Sequence, residues 1–83
     1  MDNYKYIVYG LNSCPFCVEA VSSLKERKLN YVYAELTKTP EFLREVKEFY
    51  DHSTIPIVLR IDSESGKVEL IGGCDDLKES YVD

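Results

Sequence analysis

Apolar residues along this chain recur in two rhythms. Short blocks of adjacent apolar residues alternate with longer stretches in which they return every three or four positions. Tyr6-Ile7-Val8-Tyr9 is a β-branched and aromatic run closed by Gly10, and it predicts a largely buried strand. Pro15 then opens a helix, where its missing N–H costs nothing in the first turn, with Ser13 or Cys14 before it. Cys17, Val21, Leu24 and Lys28 fall on one face of that helix with Val18 and Ala20 alongside, while Glu19, Ser22, Lys25 and Glu26 face away. Tyr31 to Leu36 predicts a second strand. Thr39-Pro40-Glu41 begins a second helix carrying Phe42, Leu43, Val46, Phe49 and Tyr50 at helical spacing. Pro56 to Ile61 and Val68 to Ile71 predict two more strands, joined by a turn at Ser63-Glu64-Ser65-Gly66. Gly72-Gly73 breaks the chain before a terminal helix of about two turns. The order is β-α-β-α-β-β-α. It predicts an α/β architecture with a right-handed parallel βαβ unit in the first half, a hairpin in the second, and one four-stranded mixed sheet.

Composition narrows the function. The chain has 83 residues, so it is read as a single domain spanning 1–83. At 45% hydrophobic and 12% aromatic it can build a core. Its formal charge of -5 argues against a sequence-independent nucleic-acid binder, which needs a basic footprint. No apolar run approaches the roughly 18–20 residues that cross a bilayer. The start at Met1-Asp2-Asn3-Tyr4-Lys5 lacks the basic and apolar pattern of a signal peptide. The expectation is a soluble, cytoplasmic monomer with no membrane partner. The chain has seven tyrosines, and those of the first two strands alternate with apolar residues and read as sheet packing.

Three cysteines carry the chemistry. An odd count without an export signal is no disulfide scaffold. Cys14 and Cys17 stand two residues apart and Cys74 is distant, so four zinc ligands are not at hand. A bare C-x-x-C serves as a redox pair or as half of a metal site. Its position directly after the first strand of a βαβ unit favours redox chemistry. One helical turn brings two Cα atoms within the ~7 Å that a disulfide needs. At a helix start Cys14 meets unpaired N–H groups and the positive dipole end, which favour the nucleophilic thiolate. Cys17, one turn deeper, is placed to resolve a mixed disulfide formed at Cys14.

Cys14-Pro15-Phe16-Cys17, Thr54-Ile55-Pro56 and Gly72-Gly73-Cys74-Asp75-Asp76-Leu77 together resemble the three signature elements of the dithiol glutaredoxins, in the right order over nearly the whole chain. The resemblance implies a thioredoxin fold and a disulfide oxidoreductase. It implies Cys14 as nucleophile, Cys17 as resolving thiol and Pro56 as a cis-proline beside the sulfurs. It also implies glutathione as the reducing co-substrate, with no metal. Glutathione would lie against Phe16, Thr54, Ile55, Pro56, Gly73, Cys74, Asp75 and Asp76. Implied partners are glutathione and disulfide-bearing proteins, ribonucleotide reductase among them. The residues agree with this. The position before a proline is extended, Gly-Gly permits close backbone approach, and Asp75 and Asp76 suit an α-amino group or a helix cap.

The sequence departs from the family pattern in three places. Leu11 stands where a basic residue commonly does, three positions before the nucleophile. Ile57 replaces a frequent polar residue, and Phe16 replaces Tyr. The missing cation predicts weaker glutathione affinity and a less acidic Cys14 than in members that carry it. His52 is the nearest basic candidate, while Lys38 and Arg60 have no assignable place. Cys74 is read as a small, half-buried residue near the ligand. Two other functions fit the same motifs: an electron donor fed by thioredoxin reductase, and a [2Fe–2S] carrier, which Pro15 disfavours. A zinc module is the third.

Overall fold

A computed structural model describes residues 3–81. Strand β1 (Tyr4–Gly10) leads into helix α1 (Pro15–Glu26), then β2 (Asn30–Glu35), α2 (Pro40–Phe49), β3 (Ile57–Asp62), β4 (Val68–Gly72) and α3 (Cys74–Glu79). The sheet order is β2-β1-β3-β4. β1 and β2 are parallel, and β3 runs antiparallel to both β1 and β4. The mixed four-stranded sheet with three helices is the predicted architecture.

The strand period of two decides which side chains meet which helices. Tyr6 and Val8 point to one face, where they join Ala20 and Leu24 of α1, Val58 of β3, and Cys74 and Leu77 of α3 in one buried cluster. Helices α1 and α3 are tied across this face by Ser23 Oγ donating to Tyr81 Oη at 3.1 Å and by the Lys78–Glu19 ion pair. Ile7 and Tyr9 point the other way, opposite Leu59 and Ile57 in the register. Helix α2 turns Leu43 and Val46 inward, and the Phe42 ring meets the Tyr9 ring edge-on at 6.2 Å.

Two expectations about the α1 face need correction. Val18 is 47% exposed, because the buried stripe of α1 is Cys17, Ala20 and Leu24 and Val18 lies a quarter-turn off it. Lys28 is not on the helix, which ends at Glu26; Lys28 has φ 58 in the following turn. Phe42 and Phe49 are 46% and 81% exposed. A ten-residue helix on a narrow sheet buries a stripe two residues wide, so the flanking aromatics overhang it. The tyrosines divide: Tyr6 is buried, Tyr9, Tyr31 and Tyr33 are half-buried, and Tyr4 is exposed.

Candidate active site

The geometry of the Cys14–Cys17 motif is set by how β1 turns into α1. Strand β1 ends at Gly10, and the Leu11–Cys14 turn closes with the Cys14 N–H donating to the Leu11 carbonyl at 3.0 Å. Cys14 is then the N-cap of α1 in an extended conformation, and Pro15 is the first helical residue. The Cys14 carbonyl accepts the N–H groups of Cys17 and Val18, at 3.1 and 3.2 Å. The two sulfurs therefore stand one turn apart, with Cys14 half-buried and Cys17 fully buried.

Their titrations move in opposite directions. Burial pushes Cys14 up, but the Cys17 thiol and the N–H groups of Cys17 and Phe16 outweigh it, so its pKa falls below the ordinary thiol value. Burial dominates at Cys17, and with the charges of Cys14 and Cys74 it pushes that thiol to about 12 against an opposing Leu11 N–H. The helix start shifts one sulfur toward the thiolate, and burial shifts the one beneath it toward the thiol.

Gly10 makes this stacking possible. A Cβ built there would lie 2.5 Å from Cys17 Sγ and 2.9 Å from Cys17 Cβ, closer than real atoms approach. Sequence reading used Gly10 only as a strand terminator, and the need for an absent side chain becomes visible only when Cys17 folds against it.

The second signature element meets the first directly. The Ile55–Pro56 peptide is cis, and Cys14 Sγ lies 3.9 Å from the Ile55 carbonyl oxygen. Pro56 is buried. The third element arrives from β4. Gly72 takes φ 122, a conformation open to glycine, and its backbone passes against the Asp76 carboxylate. Asp76 Oδ2 accepts the Gly73 N–H at 3.0 Å, so Asp76 is the capping carboxylate and Asp75 is left facing solvent.

These elements bound one cleft of about 580 Å³, lined by Phe16, Lys47, His52, Thr54, Ile55, Pro56, Gly73, Cys74, Asp75 and Asp76. All eight residues expected from the resemblance as ligand contacts line it. Phe16 is an exposed wall at 59%, whereas Cys74 is buried at 5%, so its sulfur contributes little surface. Burial, Asp75 and Cys14 together raise the Cys74 thiol, which makes it a poor thiolate. His52 Nδ1 is 2.8 Å from the Thr54 carbonyl and steadies the segment before Pro56.

Lys47 is the residue that sequence reasoning missed. It sits in the last turn of α2, half-buried, and lines the cleft. The cleft thus has a cation although Leu11 is apolar. Arg60 is committed elsewhere, 2.8 Å from Glu69 and over the Tyr4 ring, and Lys38 lines a separate surface hollow with Phe42 and Glu45. Among the described residues, no three His, Cys, Asp or Glu side chains gather as metal ligands. No helix there is long and apolar enough to cross a membrane.

Comparison with known proteins follows the same three elements. The glutaredoxin family model matches residues 6–64. Glutaredoxin 1 of Rickettsia prowazekii is 33% identical over 83 aligned residues, covering 93% of this chain and 81% of that protein. Among solved structures, the dithiolic glutaredoxin 2-C-Grx1 of Trypanosoma brucei brucei superposes with a TM-score of 0.70 at 27% identity, covering 89% of this chain and 73% of the other. A glutaredoxin from Brucella melitensis gives 0.69 at 29%, covering 90% and 75%. These neighbours share the thioredoxin fold, and their family uses glutathione as reductant for disulfide-bearing proteins. With the paired thiols, the cis-proline and these relatives in agreement, the chain belongs to the glutaredoxin family of thiol–disulfide oxidoreductases.

Proposed function

We propose that this protein reduces protein disulfides and mixed glutathione disulfides with glutathione as its electron source. The observation that carries the reading is the charge layout of the cleft. Lys47 of α2 and His52 just after it line the cleft together with Gly73 and Asp75 at the start of α3 and with Ile55, whose carbonyl oxygen is 3.9 Å from Cys14 Sγ. Glutathione has a carboxylate at its glycine end, a thiol in the middle, and an ammonium beside a carboxylate at its γ-glutamyl end. Laid along the cleft, it sets its glycine carboxylate against Lys47, its cysteine against Ile55 and Pro56, and its ammonium against Asp75. Thr54, Phe16, Cys74 and Asp76 form the walls.

The chemistry follows from the two thiols. The Cys14 thiolate attacks the glutathione sulfur of a mixed disulfide, the S–S bond breaks, and the substrate leaves as thiolate and takes a proton from water. The new Cys14–glutathione disulfide is cleaved by a second glutathione thiolate, which yields glutathione disulfide and frees Cys14. The two exchanges sum to one mixed disulfide and one free glutathione giving the substrate thiol and glutathione disulfide. For a protein disulfide, Cys17 attacks Cys14 after the first exchange, releases the reduced protein and leaves a Cys14–Cys17 disulfide, which glutathione then reduces. By family analogy, disulfides generated during turnover of enzymes such as ribonucleotide reductase are proposed substrates. The proposed working form is a cytoplasmic monomer comprising the single 1–83 domain.

The test is glutathione-coupled reduction of a small mixed disulfide by the wild type, Cys14→Ser and Cys17→Ser. Loss with Cys14→Ser and retention with Cys17→Ser is expected. Activity supported by thioredoxin reductase and not by glutathione overturns the reading.

A further inference from the structure

The chain leaves β1 at Gly10 and must reach the helix cap at Cys14 through only Leu11, Asn12 and Ser13. The ends of this loop are held locally. The Leu36 N–H donates to the Gly10 carbonyl at 2.9 Å, and the Cys14 N–H closes the turn on Leu11. Its middle residue, Asn12, is exposed and is gripped from the neighbouring strand at two points. Glu35 Oε2 accepts the Asn12 N–H at 2.8 Å, and the Tyr33 hydroxyl donates to Asn12 Oδ1 at 3.0 Å. The parallel register explains the reach, because Glu35 lies opposite Gly10 and Tyr33 opposite Val8.

The grip is itself braced. Glu35 Oε1 accepts the Thr37 N–H at 3.2 Å, and Oε2 also receives the Thr37 hydroxyl. Three donors thus converge on two carboxylate oxygens, an arrangement that needs an ionised acid. The Thr37 hydroxyl and the Asn12 N–H accordingly hold Glu35 below the usual carboxylate range. The Tyr33 ring lies against the same junction, 3.7 Å from where a Gly10 Cβ would be.

We infer that Glu35 and Tyr33 are positioning residues for the nucleophile: by clasping Asn12 they fix the loop that sets the Cys14 sulfur before the Phe16 and Cys17 N–H groups. Neither touches the reacting sulfur in this scheme. The inference rests on Cys14 being the nucleophile and extends that reading to the residues that aim it.

The sign of the effect separates aiming from simple charge. The titratable groups around the loop are Cys14, Cys17, Tyr33, Glu35 and Lys38. Glu35 is the carboxylate among them. If it acted on Cys14 only through space, removing its charge would make the thiol more acidic. If it acts by holding the loop, removing it loosens the N–H groups around the sulfur and makes the thiol less acidic.

The experiment is the pH dependence of iodoacetamide alkylation, with the labelled cysteine identified by mass spectrometry. It is run on the wild type, Glu35→Ala, Glu35→Gln and Tyr33→Phe, each checked by circular dichroism. In Glu35→Ala the thiolate fraction of Cys14 near neutral pH is expected to fall about threefold, the scale of a weakened rather than a lost charge-assisted hydrogen bond. Glu35→Gln keeps one acceptor and should fall less. Tyr33→Phe keeps the ring, preserves the packing, and should move in the same direction. It decides the matter if Glu35→Ala does not fold. An unchanged or more acidic Cys14 in the folded variants overturns the inference. First labelling at Cys17 or Cys74 in the wild type overturns both it and the nucleophile assignment. Alkylation needs no glutathione, so a failed glutathione assay leaves this test standing.

Discussion

Gly10→Ala puts the stacking of the active-site thiols to a quantitative test. The added methyl would sit 2.5 Å from Cys17 Sγ and 2.9 Å from Cys17 Cβ. Cys17 has no exposed surface and cannot swing outward, so strand or helix must shift. Overpacking a close-packed site costs roughly 1–3 kcal/mol. Alanine also restricts the unfolded chain and thereby stabilises by about 0.4–1 kcal/mol where the backbone is compatible. The clash is the larger effect, and a net loss of about 1–2 kcal/mol is expected. At roughly 4–8 °C per kcal/mol for a domain this small, Tm falls by about 5–15 °C. Thermal unfolding followed by circular dichroism, on reduced protein, measures it. The control is Cys17→Ala. Removing Sγ deletes the nearer contact, so Gly10→Ala should cost less in that background than in the wild type. Equal costs in the two backgrounds, or no fall in Tm, would refute the assignment of Gly10 as the space that Cys17 occupies.

Lys47→Gln should raise KM for glutathione by up to about fivefold with kcat little changed, since an exposed ion pair contributes roughly 0.2–1 kcal/mol, and high salt should erase the difference. Leu11→Lys should lower that KM and speed Cys14 alkylation near neutral pH; if steady-state and labelling rates both stay put, the missing cation is not what limits either. Stability should depend on pH through Cys17. Its folded value of about 12 exceeds the unfolded value of 9.0, so its contribution is complete below pH 9 and drains away as pH climbs toward 12. Denaturant melts of the reduced protein across that range should show the decline, and Cys17→Ala should flatten it relative to the wild type.

The order of elements was legible because punctuation residues mark their ends: Gly10 after β1, Thr39-Pro40 before α2, and Gly72-Gly73 before α3. The motif Cys14–Cys17 was legible because its spacing is itself the geometry, one helical turn. Pro56 and the cleft residues came from resemblance, and the three elements do converge on one site. What escaped was non-local. Periodicity identifies the apolar residues of α2 but not the width of the sheet they cover, so it does not separate the overhanging Phe42 and Phe49 from the buried Leu43 and Val46, and it gives no sign of Lys47. Nothing in the sequence singles out Glu35 within its strand, because its partner Asn12 is 23 positions away and only the parallel register joins them. Gly10 escaped for a related reason: its role is to be empty.

The burial of Cys17 imposes an order on events. A sulfur with no surface is out of reach of a bulky disulfide in solution, however strong the oxidant. On the proposed mechanism the exchange begins at Cys14, and Cys17 enters only after a partner is attached next to it. Timing is thereby written into access as well as into relative reactivity. A partner that leaves quickly is released before the inner thiol engages, and one that lingers is cleaved from within. The same pair of sulfurs can therefore sort small mixed disulfides from protein disulfides by residence time alone.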